Sequence, residues 1–347
     1  MQSEQELRWK KLEQKLKEKD LDAFLVTGKM DIFYFSGLCS GGTVLFTSKK
    51  KFFFLPPMYA EEITKDESGW EVLVYENSLE SELENVSRKI NVKRCGFDSN
   101  QLSFALYKKI KEKFKAELVP CDGMAEKIRA IKDGKELNLI RKARQITIDA
   151  FYHLKKILHN GMSEKEVANE AINYILREAD DVSFYPIVLF GKRTSRPHGK
   201  ATEQKLRDNE LVLIDMGAKI GGYCADITRT FMWGKVQEKW EKIYNFVHTL
   251  QQLAIQHIKP GVKASKIDEL IREETAKAGY QKKLLHGAGH GIGLEVHEQP
   301  ILKRNFDTVL EEGMVVCVEP GIYFAGEGGV RIEDMVLVTN QGGHILL

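Results

Sequence analysis

Four acidic side chains and one histidine with the chemistry of metal ligands occur in the C-terminal part of the chain. Each lies in a short apolar segment that is typical of a strand or a tight turn, and the five are Asp215, Asp226, His290, Glu319 and Glu333. Burying unpaired carboxylates is costly, because an apolar interior does not solvate their charge. Bound divalent cations would compensate that charge, so the pattern predicts a metal site.

The two aspartates are predicted to share one hairpin. Asp215 ends the apolar run at residues 211–214, and Asp226 lies in the segment 223–230, which follows a turn at residues 219–222. Two such segments around a glycine turn are typical of antiparallel strands, which would bring both carboxylates to one end of a sheet. For either aspartate alone, a cap on a turn is the structural alternative.

The histidine lies between two glycines, in the segment Gly289-His290-Gly291. The glycines do not form the dinucleotide-binding pattern GxGxxG, because Ile292 stands where the third glycine is required. Flanking glycines instead permit a close approach of the backbone. The imidazole could then reach a buried ion while its other ring nitrogen meets an acceptor.

The remaining two carboxylates follow predicted strands. Glu319 ends the run at residues 315–318, and Glu333 follows residues 329–332. For either one, an ion pair with Arg229 or Arg331 is the structural alternative to metal binding.

Length and composition limit the class of protein. A chain of 347 residues with 43% hydrophobic residues predicts two domains, and a net charge of +2 argues against a dedicated polyanion binder. The chain has five cysteines, which are Cys39, Cys95, Cys121, Cys224 and Cys317. Their number is odd and they form no CxxC pair, so the sequence indicates neither a disulfide framework nor a zinc ribbon. With a polar N-terminus and no long apolar run, we expect a soluble cytoplasmic protein without membrane or nucleic-acid partners.

Periodicity predicts an α/β segment followed by a mixture of longer helices and strands. The first segment has a helix over residues 4–19, ends near residues 120–123, and has strands at residues 23–26, 43–46, 52–55 and 72–75. A helix opens at Asp133 with Glu136 completing a capping box, and another runs from Gln237 to Ile258. Ser265 and Asp268 have capping-box spacing for a third helix. Strands expected in one sheet lie near residues 183–190, 211–217, 223–231, 314–319 and 329–338.

Together, these segments resemble the metallopeptidases of pita-bread fold, the group that contains methionine aminopeptidase, aminopeptidase P and prolidase. Residues 21–26 and 32–37 also resemble the creatinase/prolidase N-terminal domain. The resemblance implies an α+β protein. Residues 124–347 would form a pita-bread domain with a curved, mainly antiparallel sheet flanked by helices, and residues 1–123 a smaller α/β domain of creatinase type. The segments that carry the resemblance to the catalytic domain are Pro197-His198-Gly199, Asp215 with Asp226, Gly289-His290-Gly291, Val296-His297-Glu298, Glu319-Pro320-Gly321 and residues 330–334.

The resemblance also implies roles for the metal-ligand set. Asp215 would chelate one metal, Asp226 and Glu333 would bridge two, and His290 with Glu319 would complete the second site. The carboxylate-rich set favours Mn²⁺, with Co²⁺, Zn²⁺ or Fe²⁺ as alternatives. Two ions about 3.5–4 Å apart hold a water with a pKa of about 7, so a metal-bridging hydroxide is the expected nucleophile.

Three further residues receive roles from the same resemblance. His198 and His297 would line the cleft as catalytic and substrate-binding donors, and Glu319 would act as proton shuttle. Arg331 would contribute to substrate binding and orient Asp226 or a neighbouring carboxylate. His286 belongs to the motif without a firm role.

The resemblance implies short proline-containing peptides as substrates and a homodimer as assembly. A methionine aminopeptidase generally lacks such an N-terminal domain, and a non-catalytic peptide-binding member of the fold is a further alternative. Some short prolidases carry an arginine where Ile301 follows Pro300, to bind the dipeptide carboxylate. Its absence favours an Xaa-Pro aminopeptidase, with Xaa-Pro dipeptidase (prolidase) as the alternative. Cations of the loop 192–196 are expected to bind a peptide carboxylate or to face solvent.

Overall fold

The computed structural model describes residues 4–38, 41–62 and 69–347, so Cys39 and the first three residues lie outside the described residues. The chain divides into two compact units, Met1–Arg129 and Ala130–Leu347. The predicted division of the chain at residue 123 stays a prediction.

The first unit is an α/β domain around a mixed sheet. Its strand order is β4-β3-β2-β1-β5-β6, in which β1 and β3 pair antiparallel with β2 and the outer pairs are parallel. All four strands predicted here are present. The elements are α1 Glu4–Glu18, β1 Ala23–Val26, α2 Lys29–Ser36, β2 Thr43–Thr47, β3 Lys51–Leu55, β4 Trp70–Val74, α3 Leu79–Ile90, β5 Arg94–Phe97, α4 Phe104–Lys113, β6 Glu117–Pro120 and α5 Met124–Ala130.

The second unit combines four longer helices with short strands that pair antiparallel throughout. The helices are α6 Gly134–Ile157, α7 Glu164–Glu178, α8 Glu238–His257 and α9 Ala264–Lys277. The strands are β7 Asp181–Val182, β8 Ile187–Phe190, β9 Glu210–Met216, β10 Ala218–Ile220, β11 Tyr223–Cys224, β12 Ile227–Trp233, β13 Gly289–Gly291, β14 Glu298–Leu302, β15 Val315–Val318, β16 Gly321–Phe324, β17 Gly328–Arg331, β18 Asp334–Thr339 and β19 Gly342–Ile345.

Helices cover these strands in two layers. Residues of α6 and α7 form one core with β8 and β9, whereas residues of α8 and α9 form a second core with β15 and β18. Apolar side chains on one stripe of each helix make this packing possible, because burial of that stripe against a sheet removes it from water. The predicted α+β arrangement, with antiparallel strands flanked by helices, is confirmed.

The prediction that the C-terminal strands form one hydrogen-bonded sheet is wrong. In the described part of the second unit the strands form separate ladders, ordered β11-β10-β7, β12-β9-β8, β14-β13-β15-β18-β19 and β16-β17. The breaks between consecutive strands contain Asp226, Glu319 and Glu333. After Glu319 the chain continues with Pro320, which has no N–H for a ladder. Three of the predicted ligands therefore lie in the short segments that separate one strand from the next.

Two helix starts were predicted from capping-box spacing, and one of the two predictions is correct. The capping box of Asp133 and Glu136 at the start of α6 is confirmed. The capping box proposed for Ser265 and Asp268 is wrong, because α9 begins at Ala264 without a side-chain cap. Carbonyl groups of residues 306 and 308 accept from the first N–H groups of α9, so a distant segment replaces the local cap. Among the described residues, no helix has both the length and the apolarity needed to cross a bilayer.

Candidate active site

One cavity of the second unit, with a volume of about 670 Å³, brings the predicted site residues together. Its lining also contains His286, Ile301 and Lys303. The predicted residues that line it are Asp215, Asp226, His290, Glu319, Glu333, His198, His297 and Arg331.

The two aspartates occupy one end of a hairpin. Asp215 lies in β9 opposite Thr228 of β12, and Asp226 directly precedes β12. The turn contains Gly221 and Gly222 with φ of 54° and 85°, values that favour glycine. The hairpin predicted from the sequence is therefore present, with both carboxylates in the cavity.

Glycines on both sides of His290 let neighbouring strands approach it. A Cβ atom at Gly289 would lie 1.9 Å from the carbonyl oxygen of Cys317, and one at Gly291 would lie 2.2 Å from that of Gln299. Larger residues at either position would push these strands away from the histidine. The Nδ1 atom of His290 lies 3.1 Å from the carbonyl oxygen of Gly291, which supplies the predicted acceptor for the second ring nitrogen.

The other ring nitrogen of His290 faces the carboxylates. Its Nε2 atom lies 3.6 Å from Glu319 Oε1, 3.8 Å from Asp226 Oδ2 and 3.9 Å from Glu333 Oε1. These distances exceed hydrogen-bond length. Burial, followed by the charge of His297, lowers the pKa of His290 to about 3. The ring is therefore neutral at pH 7 and offers a lone pair toward three carboxylate oxygens.

The carboxylates are crowded and incompletely satisfied. Burial, followed by the charges of neighbouring carboxylates, raises the pKa of Asp226, Glu319 and Glu333, and that of Glu333 reaches about 7. Within the described residues, Asp215 Oδ1, Asp226 Oδ1 and Glu333 Oε1 are buried without a hydrogen-bond partner. Orphaned buried oxygens are rare because they carry a desolvation cost. The donor set thus fits divalent cations, which would satisfy these oxygens and offset the repulsion.

Arg331 is buried beside the carboxylates, and its partner is Asp215. The Nη2 atom of Arg331 donates to Asp215 Oδ2 at 2.5 Å, and Nε donates to Thr228 Oγ1 at 3.0 Å. Its Nη1 atom donates to the carbonyl oxygen of Pro197 and to the Tyr323 hydroxyl. The side chain is therefore held by four hydrogen bonds.

The accessory histidines lie in the same cavity. The ring of His297 packs edge-on against that of His290, with centroids 4.2 Å apart. His286 Nε2 lies 2.8 Å from the Tyr323 hydroxyl, and burial lowers the pKa of His286 to about 4. His198 and His297 have exposed side chains within the cavity lining. These two are accessible to a molecule that enters the cavity.

Sequence reasoning missed the residue that holds the loop carrying His198. Glu164 is fully buried and accepts from the backbone N–H of Phe190 and from Arg193 Nε at one end of the loop. At the other end it accepts from the N–H and the hydroxyl of Thr202. Arg193, predicted to bind a peptide carboxylate or face solvent, instead pairs with Glu164. The Ser163-x-x-Glu166 capping box could have revealed the helix that begins here, α7, but not the burial of Glu164.

Lys303 is the lysine that lines this cavity among the described residues. It is exposed, and no ion pair found in the described part of the chain involves its Nζ atom. Neighbouring Arg304 does not line the cavity, and its Nε atom lies 3.9 Å from Asp268 Oδ2.

Comparison with known proteins agrees with this geometry. Residues 138–340 match metallopeptidase family M24, and residues 8–131 match the creatinase/prolidase N-terminal domain. An Xaa-Pro dipeptidase of Pyrococcus furiosus is 33% identical, over 98% of this chain and 97% of its own.

Two solved structures extend the comparison. A structure described as an Xaa-Pro dipeptidase from Bacillus anthracis has a TM-score of 0.94 and 35% identity, and the match covers 99% of this chain and 97% of that one. A structure described as an X-Pro aminopeptidase from Thermotoga maritima has a TM-score of 0.89 and 31% identity. That match covers 97% of this chain and 96% of the Thermotoga maritima chain. The predicted pita-bread fold and metallo-exopeptidase class are confirmed, and family membership implies divalent metal ions. This chain belongs to metallopeptidase family M24 and carries a creatinase/prolidase N-terminal domain.

Proposed function

We propose that this protein is an Xaa-Pro dipeptidase, which hydrolyses dipeptides with proline in the second position. The observation that carries the proposal is one cavity that holds both a cluster of carboxylates with buried, unsatisfied oxygens and an exposed lysine, Lys303, for which the described residues contain no ion-pair partner. A dipeptide presents a free carboxylate close to its scissile bond, and a lysine ammonium is a suitable partner for it. The relatives described as Xaa-Pro dipeptidases support the same substrate class.

We propose that two divalent ions, with Mn²⁺ as the preferred metal, are held by Asp215, Asp226, His290, Glu319 and Glu333. Bound divalent ions lower the pKa of water to about 7, and so supply a nucleophile at neutral pH and polarise the scissile carbonyl. The neutral ring of His290 and the unpartnered carboxylate oxygens suit this binding.

Other residues of the chain would handle the substrate and the proton. His198 and His297, which are exposed in the cavity, would donate to the carbonyl oxygen as charge develops on it. Glu319, which lies at the edge of the cluster, would receive the proton of the attacking water and pass it to the proline nitrogen. Arg331 would keep Asp215 oriented through its short hydrogen bond.

Apolar side chains in the cavity support recognition of proline. Phe184, Ile187, Val296 and Ile301 line it together with the polar residues. A proline ring has no N–H to satisfy, so an apolar wall can contact it without leaving a buried donor unpaired.

An Xaa-Pro aminopeptidase is the second candidate, which the sequence analysis favoured. Ile301, not an arginine, follows Pro300, and the Thermotoga maritima structure is described as an X-Pro aminopeptidase. The relatives described as Xaa-Pro dipeptidases fit the dipeptidase better than the aminopeptidase. A homodimer and a cytoplasmic location remain proposals, and the free state of the four described cysteines supports a reducing compartment.

Three substrates separate these functions. Purified protein loaded with Mn²⁺ is assayed for alanine release from Ala-Pro, from its amide Ala-Pro-NH₂ and from Ala-Pro-Ala, with chelator-treated protein as the blank. A dipeptidase cleaves Ala-Pro and loses most of its kcat/KM when the carboxylate is amidated or extended. Comparable cleavage of all three substrates would identify the aminopeptidase. Failure to cleave any of them with metal bound would reject both candidates.

A further inference from the structure

A cysteine lies beneath the carboxylate cluster. Cys317 is fully buried in β15, directly opposite His290 of β13 in the strand register. The Cys317 side chain points to the side of β15 on which His290 and two of the carboxylates lie. The sequence analysis treated this cysteine only as evidence against disulfides.

The Cys317 sulfur is close to three of the proposed metal ligands. Its Sγ atom, one carboxylate oxygen each of Asp226 and Glu333, and one ring nitrogen of His290 all lie within 4.8 Å of one another. All four residues are buried, and Asp226 Oδ1 and Glu333 Oε1 have no hydrogen-bond partner in the described residues. The unpartnered oxygens point independently to a cation at this place.

We propose that Cys317 supplies a sulfur donor to the metal centre, so that Asp226, His290, Cys317 and Glu333 form a mixed site for a thiophilic divalent ion such as Cd²⁺ or Zn²⁺. The inference rests on the metal centre of the proposed function and adds a residue that is absent from its ligand set.

Geometry and ligand chemistry support this assignment. Bonds of about 2.0–2.3 Å in tetrahedral geometry place the donors of one zinc ion about 3.3–3.8 Å apart, so four atoms that lie within 4.8 Å of one another can hold it after small side-chain adjustments. Thiolate sulfur selects softer ions, whereas carboxylates alone favour harder ones. Formation of the sulfur–metal bond releases the thiol proton to solvent, so no oxidant or reductant is required.

The competing role for Cys317 is a hydrogen-bond donor that only orients Glu333. The Cys317→Ser variant separates the two roles, because serine keeps a donor of similar size but removes the sulfur. Cys317→Ala removes both, and Cys95→Ser is the matched control, since Cys95 is an equally buried cysteine of the first unit.

The experiment is a Cd²⁺ titration of metal-free protein, followed by ultraviolet sulfur-to-cadmium charge-transfer absorption and by calorimetry. We expect the band in the wild type and in Cys95→Ser, and its loss in Cys317→Ser and Cys317→Ala. Cd²⁺ affinity should fall at least about tenfold in both Cys317 variants, because even the loss of a group that only hydrogen-bonds to a metal ligand costs about that much. Circular dichroism verifies that each variant is folded. If Cys317→Ser does not fold, the presence or loss of the charge-transfer band is tested in Cys317→Ala alone.

Two results would overturn the inference. One is tight Cd²⁺ binding by the wild type without a charge-transfer band, and the other is a band that persists in the Cys317 variants. Ala-Pro hydrolysis by Mn²⁺-loaded wild type is measured separately. Absence of hydrolysis with the Cd²⁺ band present would reject the proposed function and leave the sulfur ligand intact.

Discussion

Arg331 donates to Asp215 through a buried hydrogen bond, with Nη2 and Oδ2 separated by 2.5 Å. The guanidinium and carboxylate are both almost fully inaccessible to solvent. Breaking such a pair from one side leaves an uncompensated charge in the interior. The positive charge of Arg331 also offsets the repulsion among the neighbouring carboxylates.

We therefore predict that Arg331→Met destabilises the metal-free protein by about 3–5 kcal/mol. Urea unfolding in the presence of a chelator measures this change. Arg88→Met is the control, because Arg88 pairs with Glu84 at the surface of a helix. That substitution should change the free energy of unfolding by about 0.5 kcal/mol or less. Equal effects of the two substitutions would contradict the role assigned to Arg331.

Glu333→Gln should have opposite effects on the metal-free and metal-loaded protein. Without metal, the neutral amide removes a carboxylate from a buried cluster, and we expect stabilisation of roughly 1–3 kcal/mol, since each pKa unit corresponds to about 1.4 kcal/mol. With metal, the variant should lose the rise in Tm that binding gives the wild type. The measurement is thermal unfolding with chelator and with excess Mn²⁺.

The matched control for this experiment is Glu327→Gln. Glu327 pairs with Lys239 at the surface and does not line the cavity. The control should keep the metal-dependent rise in Tm. A Glu333→Gln protein that is still stabilised by Mn²⁺ as the wild type is would remove Glu333 from the ligand set.

Local sequence patterns were sufficient for the hairpin, for the limits of α1 and α8 within one residue, and for the start of α6. The glycine pair at residues 221–222 fixes the turn between Asp215 and Asp226, and each aspartate ends or precedes an apolar strand. The capping box at Asp133 likewise involves residues that are adjacent in sequence. Signals of this kind depend only on neighbouring residues, so the sequence contains them in full.

Features that depend on distant segments could not be predicted. The start of α9 is satisfied by carbonyl groups of residues 306 and 308, and Glu164 is buried because two ends of a distant loop donate to it. The proximity of Cys317 to His290 follows from the register of β15 with β13. Strand register and loop packing are tertiary properties, which periodicity does not specify.

Glu166 predicts a pH-dependent contribution to stability away from the cavity. Its carboxylate accepts from the backbone N–H of Ser163 and pairs with Lys205, and these contacts, the first being the larger, lower its pKa from 4.5 to about 2. A lowered carboxyl pKa contributes stability that is fully present above about pH 4.5 and is lost as the pH falls toward about 2. Glutamine keeps the capping geometry without the charge.

We therefore expect Glu166→Gln to be less stable than the wild type near neutral pH, with a difference that shrinks as the pH falls from about 4.5 toward about 2. Urea unfolding of both proteins across this range measures the difference. Glu203→Gln, which removes a surface partner of Lys165, is the control for loss of a surface ion pair. A difference that grows on acidification would contradict the assignment.

Glu164→Ala should affect both stability and activity. Loss of the carboxylate leaves Arg193 unpaired and releases both ends of the loop that carries His198, so we expect a cost of about 3–5 kcal/mol. Misplacement of His198 should lower kcat/KM by about tenfold to a hundredfold. Glu164→Gln, which keeps an acceptor, should restore part of both losses.

A double-mutant cycle tests whether Glu164 acts through His198. If it does, Glu164→Ala should lower kcat/KM much less in a His198→Ala background than in the wild type. Additive losses in kcat/KM would show that Glu164 affects activity independently of His198.

Lys303→Gln should weaken binding of a dipeptide without slowing its chemistry. A lysine that holds the substrate carboxylate binds ground state and transition state alike, so its loss raises KM and leaves kcat unchanged. A charge-assisted hydrogen bond worth about 1.5–3 kcal/mol corresponds to an increase in KM of about tenfold to a hundredfold for Ala-Pro.

Steady-state kinetics of metal-loaded protein measure this change. The control is Lys282→Gln, because Lys282 is an exposed lysine outside the cavity lining. Ala-Pro-NH₂, which lacks the carboxylate, should be hydrolysed equally by the wild type and by Lys303→Gln. An unchanged KM for Ala-Pro would mean that another group holds the carboxylate, and a fall in kcat would place Lys303 among the groups that act in the transition state.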